Sequence, residues 1–421
     1  MKLSFLPTLF IAFLLLGTSC QTAEKGPQTM SADNLVKNIQ KRLIEAKAGD
    51  QILLPAGTFD FKRSLSLNDT PDITIKGAGK GKTILSFKGQ IEGAEGMLIK
   101  NVNGITLEGF TISDSKGDAL KVQSCSNVVM RDVETTWTNG QLATNGAYGL
   151  YPVSSTNVLM EKCEASYAMD AGIYVGQSKN VVVRDNYVHH NVAGLEIENT
   201  INGEVYNNIA KNNTGGMLIF DMPDLPQANG DRIKFYNNIM EGNNGKNFAP
   251  KGMVVSTIPP GSGMIIMSHS NIEAHHNTIT NHKTLGIAVN SWLFTGVPFK
   301  SEKFDPFCSN INLHDNVISG NVGPADNTTE YGQLFTAILK GEPVDIITDG
   351  IFKPTSIGEN GQATGYCFKN NGDNIKFVNL NAGMGDSPEA MAKNMDTDLS
   401  KFDCDLQSFD TSEHDKWLAV K

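Results

Sequence analysis

Asn180-Val-Val-Val-Arg-Asp-Asn-Tyr-Val-His-His-Asn-Val-Ala-Gly-Leu-Glu-Ile197 decides the fold. It holds a short alternating strand closing on a polar turn, a second short strand, and a third that opens with glycine. Period-two alternation of this length reads as half-buried strand. The pattern recurs. Its first strand returns as Asn127-Val-Val-Met-Arg-Asp, Asn157-Val-Leu-Met-Glu-Lys, Gly203-Glu-Val-Tyr-Asn-Asn, Arg232-Ile-Lys-Phe-Tyr-Asn, Asn271-Ile-Glu-Ala-His-His and Asn310-Ile-Asn-Leu-His-Asp. Its third returns as Gly149-Leu-Tyr, Gly172-Ile-Tyr-Val, Gly216-Met-Leu-Ile, Gly263-Met-Ile-Ile and Gly286-Ile-Ala-Val. Uninterrupted copies lie about 22 residues apart, a period that marks stacked-repeat architectures. One such unit cannot cover its own apolar face, so the units must stack. This predicts an all-β chain forming a single right-handed parallel β-helix.

The turns agree. Asn186, Asn208, Asn238, Asn277 and Asn316 fall in one column, and Asn191, Asn213, Asn243 and Asn321 in another, where His282 is the exception. Stacked asparagines pass amide hydrogen bonds from layer to layer, so these residues are assigned to structure. About ten coils are expected from Gln51 to near Asn321, a rod of roughly 45 Å at the usual strand spacing.

Outward from the repeat, residues 32–48 carry Leu35, Ile39, Leu43 and Ile44 at helical spacing. A helix there would cap the open end of the first coil and protect its strand edges. Residues 324–421 lose the repeat and are expected to form an irregular cap, with further strands around 345–351 and 374–380. The domain reading is therefore a β-helix over 32–323 and a C-terminal cap over 324–421.

Ahead of the helix, Lys2 and the apolar run Leu3 to Leu16 lead into Gly17-Thr18-Ser19-Cys20. The run is too short to span a bilayer and reads as a signal peptide over 1–19. Cys20 after small residues resembles a bacterial lipobox, although Gly17 stands where that pattern usually has Leu. The resemblance implies lipidation of Cys20, with 20–31 as a tether, and hence an exported protein anchored in the cell envelope, periplasmic or surface-facing, by preference in the outer membrane. Plain secretion is the other reading.

The chain has 421 residues and a net charge of -10. An acidic surface argues against nucleic acid and gives no general attraction to acidic glycans. Export permits disulfides. Cys125 and Cys163 read as small buried apolar residues, and Cys308 is the candidate to pair with Cys367 or Cys404. His189-His190 and His275-His276 fall at different coil positions and read as solvated turn residues, so no metal site is expected.

Insertions fall at 136–147, 222–231, 245–262 and 292–306, all beside the third strand. Insertions on one face of a solenoid often mark its binding face, although solenoids also tolerate loops anywhere. On the third strand the residue after glycine points inward and the next outward. The outward column is then Tyr151, Tyr174, Glu196, Leu218, Ile265 and Ala288, with Glu198 two residues beyond Glu196. Asp170 precedes its strand, Asp221 follows its own, and Tyr148 enters from an inserted loop. Tyrosines supply a flat apolar face with a hydroxyl. Carboxylates accept sugar hydroxyls, transfer protons or bind calcium. Tyr148, Tyr151, Asp170, Tyr174 and Glu196 are the candidate catalytic residues, and Arg184, Glu198 and Asp221 the candidate binding residues. No cofactor motif is present, and calcium is possible at the carboxylates. The bland alternative is an ordinary exposed β-face.

Leu150 to Pro223 closely resembles the exported bacterial parallel β-helix repeat proteins, through Gly149-Leu-Tyr-Pro-Val, Asp170-Ala-Gly-Ile-Tyr-Val-Gly-Gln-Ser, Ala193-Gly-Leu-Glu-Ile-Glu-Asn and Asn212-Asn-Thr-Gly-Gly. The resemblance implies the fold and export. More distantly, the coils resemble alginate (mannuronan) epimerases and polysaccharide lyases. The epimerase motif Tyr-Gly-Phe-Asp-Pro-His is matched at Tyr148, Gly149 and Pro152, and Asp170 stands where a further Asp would fall. Tyr151 and Val153 replace its Asp and His, and Val153 can neither take a proton nor neutralise charge. Three functions follow: an envelope enzyme acting on polysaccharide, as a uronate epimerase or lyase would; a non-catalytic glycan-binding lipoprotein; or a scaffold for a protein partner. Oligomeric state is open.

Overall fold

The computed structural model describes residues 32–359, 362–385 and 387–419. The expected signal peptide, Cys20 and its tether lie outside the described residues. Among the described residues, parallel strands build two sheets, one of nineteen strands and one of eleven. A coil consists of three strands, as in Lys179–Arg184, Tyr187–His189 and Ala193–Glu198. The first two belong to the larger sheet, which turns a corner between them, and the third to the smaller sheet. The chain is the right-handed parallel β-helix the repeat predicts.

The interior is a set of ladders. Leu150, Ile173, Leu195, Met217, Met264, Ile287 and Ile346 occupy one register row, and all are buried. The polar columns stack as expected. Asn186 Nδ2 donates to Asn208 Oδ1 at 2.9 Å, Asn208 to Asn238 at 3.0 Å, Asn238 to Asn277 at 3.0 Å, and Asn277 to Asn316 at 2.9 Å. His282 takes its place in the second column, facing Asn243 Nδ2 at 3.2 Å. The residue before each ladder asparagine, such as Asp185 or Asn207, has positive φ, which Asn and Asp tolerate best among residues with a Cβ. The glycines opening the third strands have a steric reason. A Cβ on Gly194 would stand 2.4 Å from the carbonyl oxygen of Gly216, and one on Gly216 would stand 2.4 Å from that of Gly263.

The N-terminal helix, Ala32–Ile44, caps the first coil through Leu35, Ile39 and Leu43. Ile44 is exposed instead of buried, because the helix ends there. At the other end, coiling continues past residue 323. Val344–Thr348 and Phe377–Asn379 extend the smaller sheet, and Tyr366–Lys369 the larger. The smaller sheet therefore has eleven rungs, two of them beyond the 51–321 span for which ten coils are expected. From Cys404 the chain returns along the outer face of the larger sheet as a strap. Ser408 bonds Glu273, Phe409 lies under Lys234, and the Trp417–Leu418 pair covers Val129, Leu159 and Val182.

The disulfide differs from expectation. Cys367 pairs with Cys404, and Cys308 is a free buried thiol. Cys367 lies opposite Asn312 on the outer face of its sheet, where the strap runs, whereas Cys308 turns inward among core residues. The histidine pairs also differ in part. His189 stacks on Tyr187 and bonds Glu164, and His275 stacks between Tyr236 and His314. His189 and His275 thus belong to ring stacks on a sheet face, while His190 and His276 follow their strands in turns, as expected.

Candidate functional site

The third strands place Lys121, Tyr151, Tyr174, Glu196, Leu218, Ile265 and Ala288 in one outward row across successive coils. The row was expected to line a loop-flanked binding face, with an ordinary exposed β-face as the alternative. Its centre is covered: Tyr174 is 5% exposed, Glu196 3% and Leu218 5%. Insertions 245–262 and 292–306 fold over this sheet, and a helix at Glu330–Leu339 closes the far side. Between sheet and roof lies a cavity of about 670 Å³, lined by Tyr148, Asp170, Glu196 and Glu198 at one end and mainly by apolar side chains beyond, with Asn290 and Tyr331 among the polar exceptions. That volume is typical of small-ligand sites.

At the polar end, the rings of Tyr148, Tyr151 and Tyr174 pack mutually, with centroids 4.4 to 4.9 Å apart. Tyr148 hydrogen-bonds Asp170, and Tyr174 hydrogen-bonds Glu198. Gly176 makes the second contact possible. It lies opposite Glu198 in the ladder, and a Cβ there would stand 2.6 Å from the Tyr174 hydroxyl. The tyrosine leans across this bare position to reach the glutamate.

Burial dominates the electrostatics. It pushes Asp170 up to about 7 despite the Tyr148 bond, with Glu198 and Asp118 pushing the same way. It pushes Glu198 up to about 7 against the opposing Tyr174 bond. Glu196 is driven well above the usual carboxylate range by burial first and then by Asp170 and Glu198. Removal from water disfavours each charge, and crowding of like charges adds to it. Among the described residues that line the cavity there is no Lys, Arg or His. Burial also raises all three tyrosines, so their phenols stay protonated and act as hydrogen-bond donors, not as bases. The site thus offers carboxylic acids that can donate as well as accept near neutral pH. Among the described residues, no group of three or more His, Cys, Asp or Glu is placed to hold a metal ion.

Two proposed binding residues stand elsewhere. Arg184 is on the larger sheet, where it bonds Glu161 at 2.6 Å and the Tyr206 hydroxyl at 3.0 Å. Its position on the first strand fixes that separation. Asp221 is buried in the turn after its strand, accepting from Gly230 N at 2.7 Å. Its other oxygen, Oδ1, has no hydrogen-bond partner among the described residues and lies 3.9 Å from His269 Nε2, and the residue does not line the cavity. Sequence reasoning missed Asp118, which burial raises to about 6 and which accepts from Tyr148 N. It precedes a third strand that has Ala119 where the others have glycine, so the glycine signal passed over it. The roof helix was also missed, although Tyr331, Leu334, Phe335 and Ile338 have helical spacing.

The sequence matches the family model "Right handed beta helix region" over residues 95–223 and 134–304. The pre-neck appendage protein of Bacillus phage phi29 is 27% identical over 217 residues, which is 43% of this chain. This chain spans only 25% of that protein's length. Among solved structures, the A-module of the Azotobacter vinelandii mannuronan C-5 epimerase AlgE6 aligns with TM-score 0.47 and 14% identity, over 81% of this chain and 88% of that one. The Yersinia enterocolitica family 28 exopolygalacturonase aligns with TM-score 0.46 and 12% identity, over 78% of this chain and 79% of that one. Family match and stacked coils agree, and the chain belongs to the right-handed parallel β-helix proteins.

Proposed function

We propose that this protein is an envelope lipoprotein whose roofed groove binds an uncharged saccharide and holds it against protonated carboxyl groups. One observation carries the reading: Asp170, Glu196 and Glu198 are buried together beside three packed tyrosines, in a cavity with no lining cation among the described residues. Tyrosine faces suit sugar rings, and neutral carboxyl groups exchange hydrogen bonds with hydroxyls in both directions. The same groups favour a neutral saccharide over a uronate. A uronate would bring another negative charge into a low-dielectric site with nothing to neutralise it. Whether bound saccharide is also hydrolysed depends on the carboxyl groups acting as acid and base, a role their raised pKa values suit.

A panel of neutral and uronate oligosaccharides tests this, read by array retention and by product formation. Retention of neutral members, weakened at least about tenfold by Tyr174→Ala and Glu196→Gln, is expected. Equal retention of uronates, or retention unaffected by both substitutions, would refute it. Anchoring is tested separately. Mass spectrometry of the mature chain should find a lipidated Cys20, and Cys20→Ala should release the protein from membranes.

A further inference from the structure

The carboxyl groups occupy only one end of the cavity. Beyond Glu196 the floor continues as Leu218, Ile265 and Ala288 on successive coils, an apolar run of about 10 Å at the usual strand spacing. Val255 and Ile258 form one wall and Phe335 closes the far end. Three methionines, Met222, Met253 and Met267, also line it, and methionine adapts readily to flexible apolar ligands. At the mouth, Val254 and Val297 are 48% and 51% exposed, so the entrance itself is apolar. The one charge on this half among the described residues is Glu330, exposed at the rim.

A saccharide leaves this half unfilled. An oligosaccharide extended along it would set most of its hydroxyls against apolar side chains, with Asn290 and Tyr331 among the few polar groups of the lining, a costly exchange with water. An aliphatic chain fits its length and chemistry. With no lining cation among the described residues, a chain that ends in carboxylate or phosphate would bring in a charge that nothing there offsets. We infer that the ligand is an uncharged glycolipid, its saccharide against Asp170, Glu196 and Glu198 and its aliphatic chain along Leu218, Ile265 and Ala288 towards Phe335. The saccharide half of this assignment rests on the function proposed above, and the chain half rests on the cavity alone.

The two halves can be tested apart. The full chain is titrated by calorimetry with n-alkyl maltosides of increasing chain length, each below its micelle concentration, and with the matching n-alkanols. Affinity is expected to rise roughly fourfold per added methylene until the floor is filled, with a negative heat-capacity change. Ala288→Phe should make affinity saturate at a shorter chain. Val255→Trp, from the opposite wall, should do the same if the first variant fails to fold. Affinity independent of chain length would overturn the inference while leaving saccharide binding intact. The same flat result with an apolar peptide displacing a bound dye would also overturn it, in favour of a protein partner. Alkanols binding as tightly as maltosides, unaffected by Glu196→Gln, would overturn the glycolipid assignment through its saccharide half.

Discussion

Glu161 and Glu196 stand on the outer faces of the two sheets, and little of either reaches solvent. What covers them differs. Glu161 lies between Arg131 and Arg184, each within 2.6 Å of a carboxylate oxygen. Burial pushes its pKa up, but the hydrogen bonds and charges of the two guanidinium groups outweigh that and hold it below the usual range. Glu196 lies under loops, with other carboxyl groups as its titratable neighbours, and moves the opposite way. On one face charge is matched for stability. On the other it is left unmatched, a local conflict that characteristically marks functional sites.

Exchanging charge for an amide should therefore change stability in opposite directions. The larger change is expected from Glu161→Gln, which leaves two arginines facing each other. Discounted for their partial exposure, the loss is about 2 kcal/mol, read by denaturant unfolding at pH 8. Glu196→Gln should stabilise by about 1 kcal/mol under the same conditions, because the charged form is what burial penalises. Loss of stability in both variants would break the contrast.

Acidity sharpens it further. Asp170 and Glu198 have folded pKa values of about 7, above their ordinary values of 3.8 and 4.5. Between those limits the folded state binds more protons than the unfolded state, so their contribution is lost as pH rises towards and through 7. Glu161 works in reverse, its contribution fading only as pH falls below the ordinary carboxylate range. The midpoint of thermal unfolding should be higher at pH 5 than at pH 8 by at least about 2 °C. Replacing Asp170, Glu196 and Glu198 together by their amides should reduce that difference, with Asp221 and Asp349, which burial also raises, left in place.

Stacked rows can be read from the sequence, and what covers them cannot. Arg131, Glu161, Arg184, Tyr206, Tyr236, His275 and His314 form one column because stacking copies a local pattern from coil to coil. The asparagine ladders and the row from Tyr151 to Ala288 were legible for the same reason. The roof was not. Loops 245–262 and 292–306 have no period, and the roof helix comes after the recognisable repeat. Whether Glu196 meets water or a ceiling was thus invisible in the strand that carries it, and with that went the sign of its pKa shift. Arg184 shows the converse error: grouping it with the groove ignored that a first-strand residue belongs to the other sheet.

The smallest expected effect on stability probes how the unmatched face is held in place. Gly176 does not have the positive φ that would require glycine, so alanine is compatible with its backbone. Its Cβ would meet the Tyr174 ring at 2.4 Å, and a tyrosine side chain can swing away from that contact. Gly176→Ala should therefore change stability by less than about 1 kcal/mol while moving the Tyr174 hydroxyl off Glu198. Glu198 then loses the one hydrogen bond that opposes burial, and its pKa rises above 7, measurable by NMR titration of labelled glutamate. Saccharide affinity should fall with it, and Tyr174→Phe should reproduce the pKa rise with the aromatic face still in place. An unchanged Glu198 titration in both variants would mean that burial alone sets the carboxyl, and that the tyrosines do no more than pack.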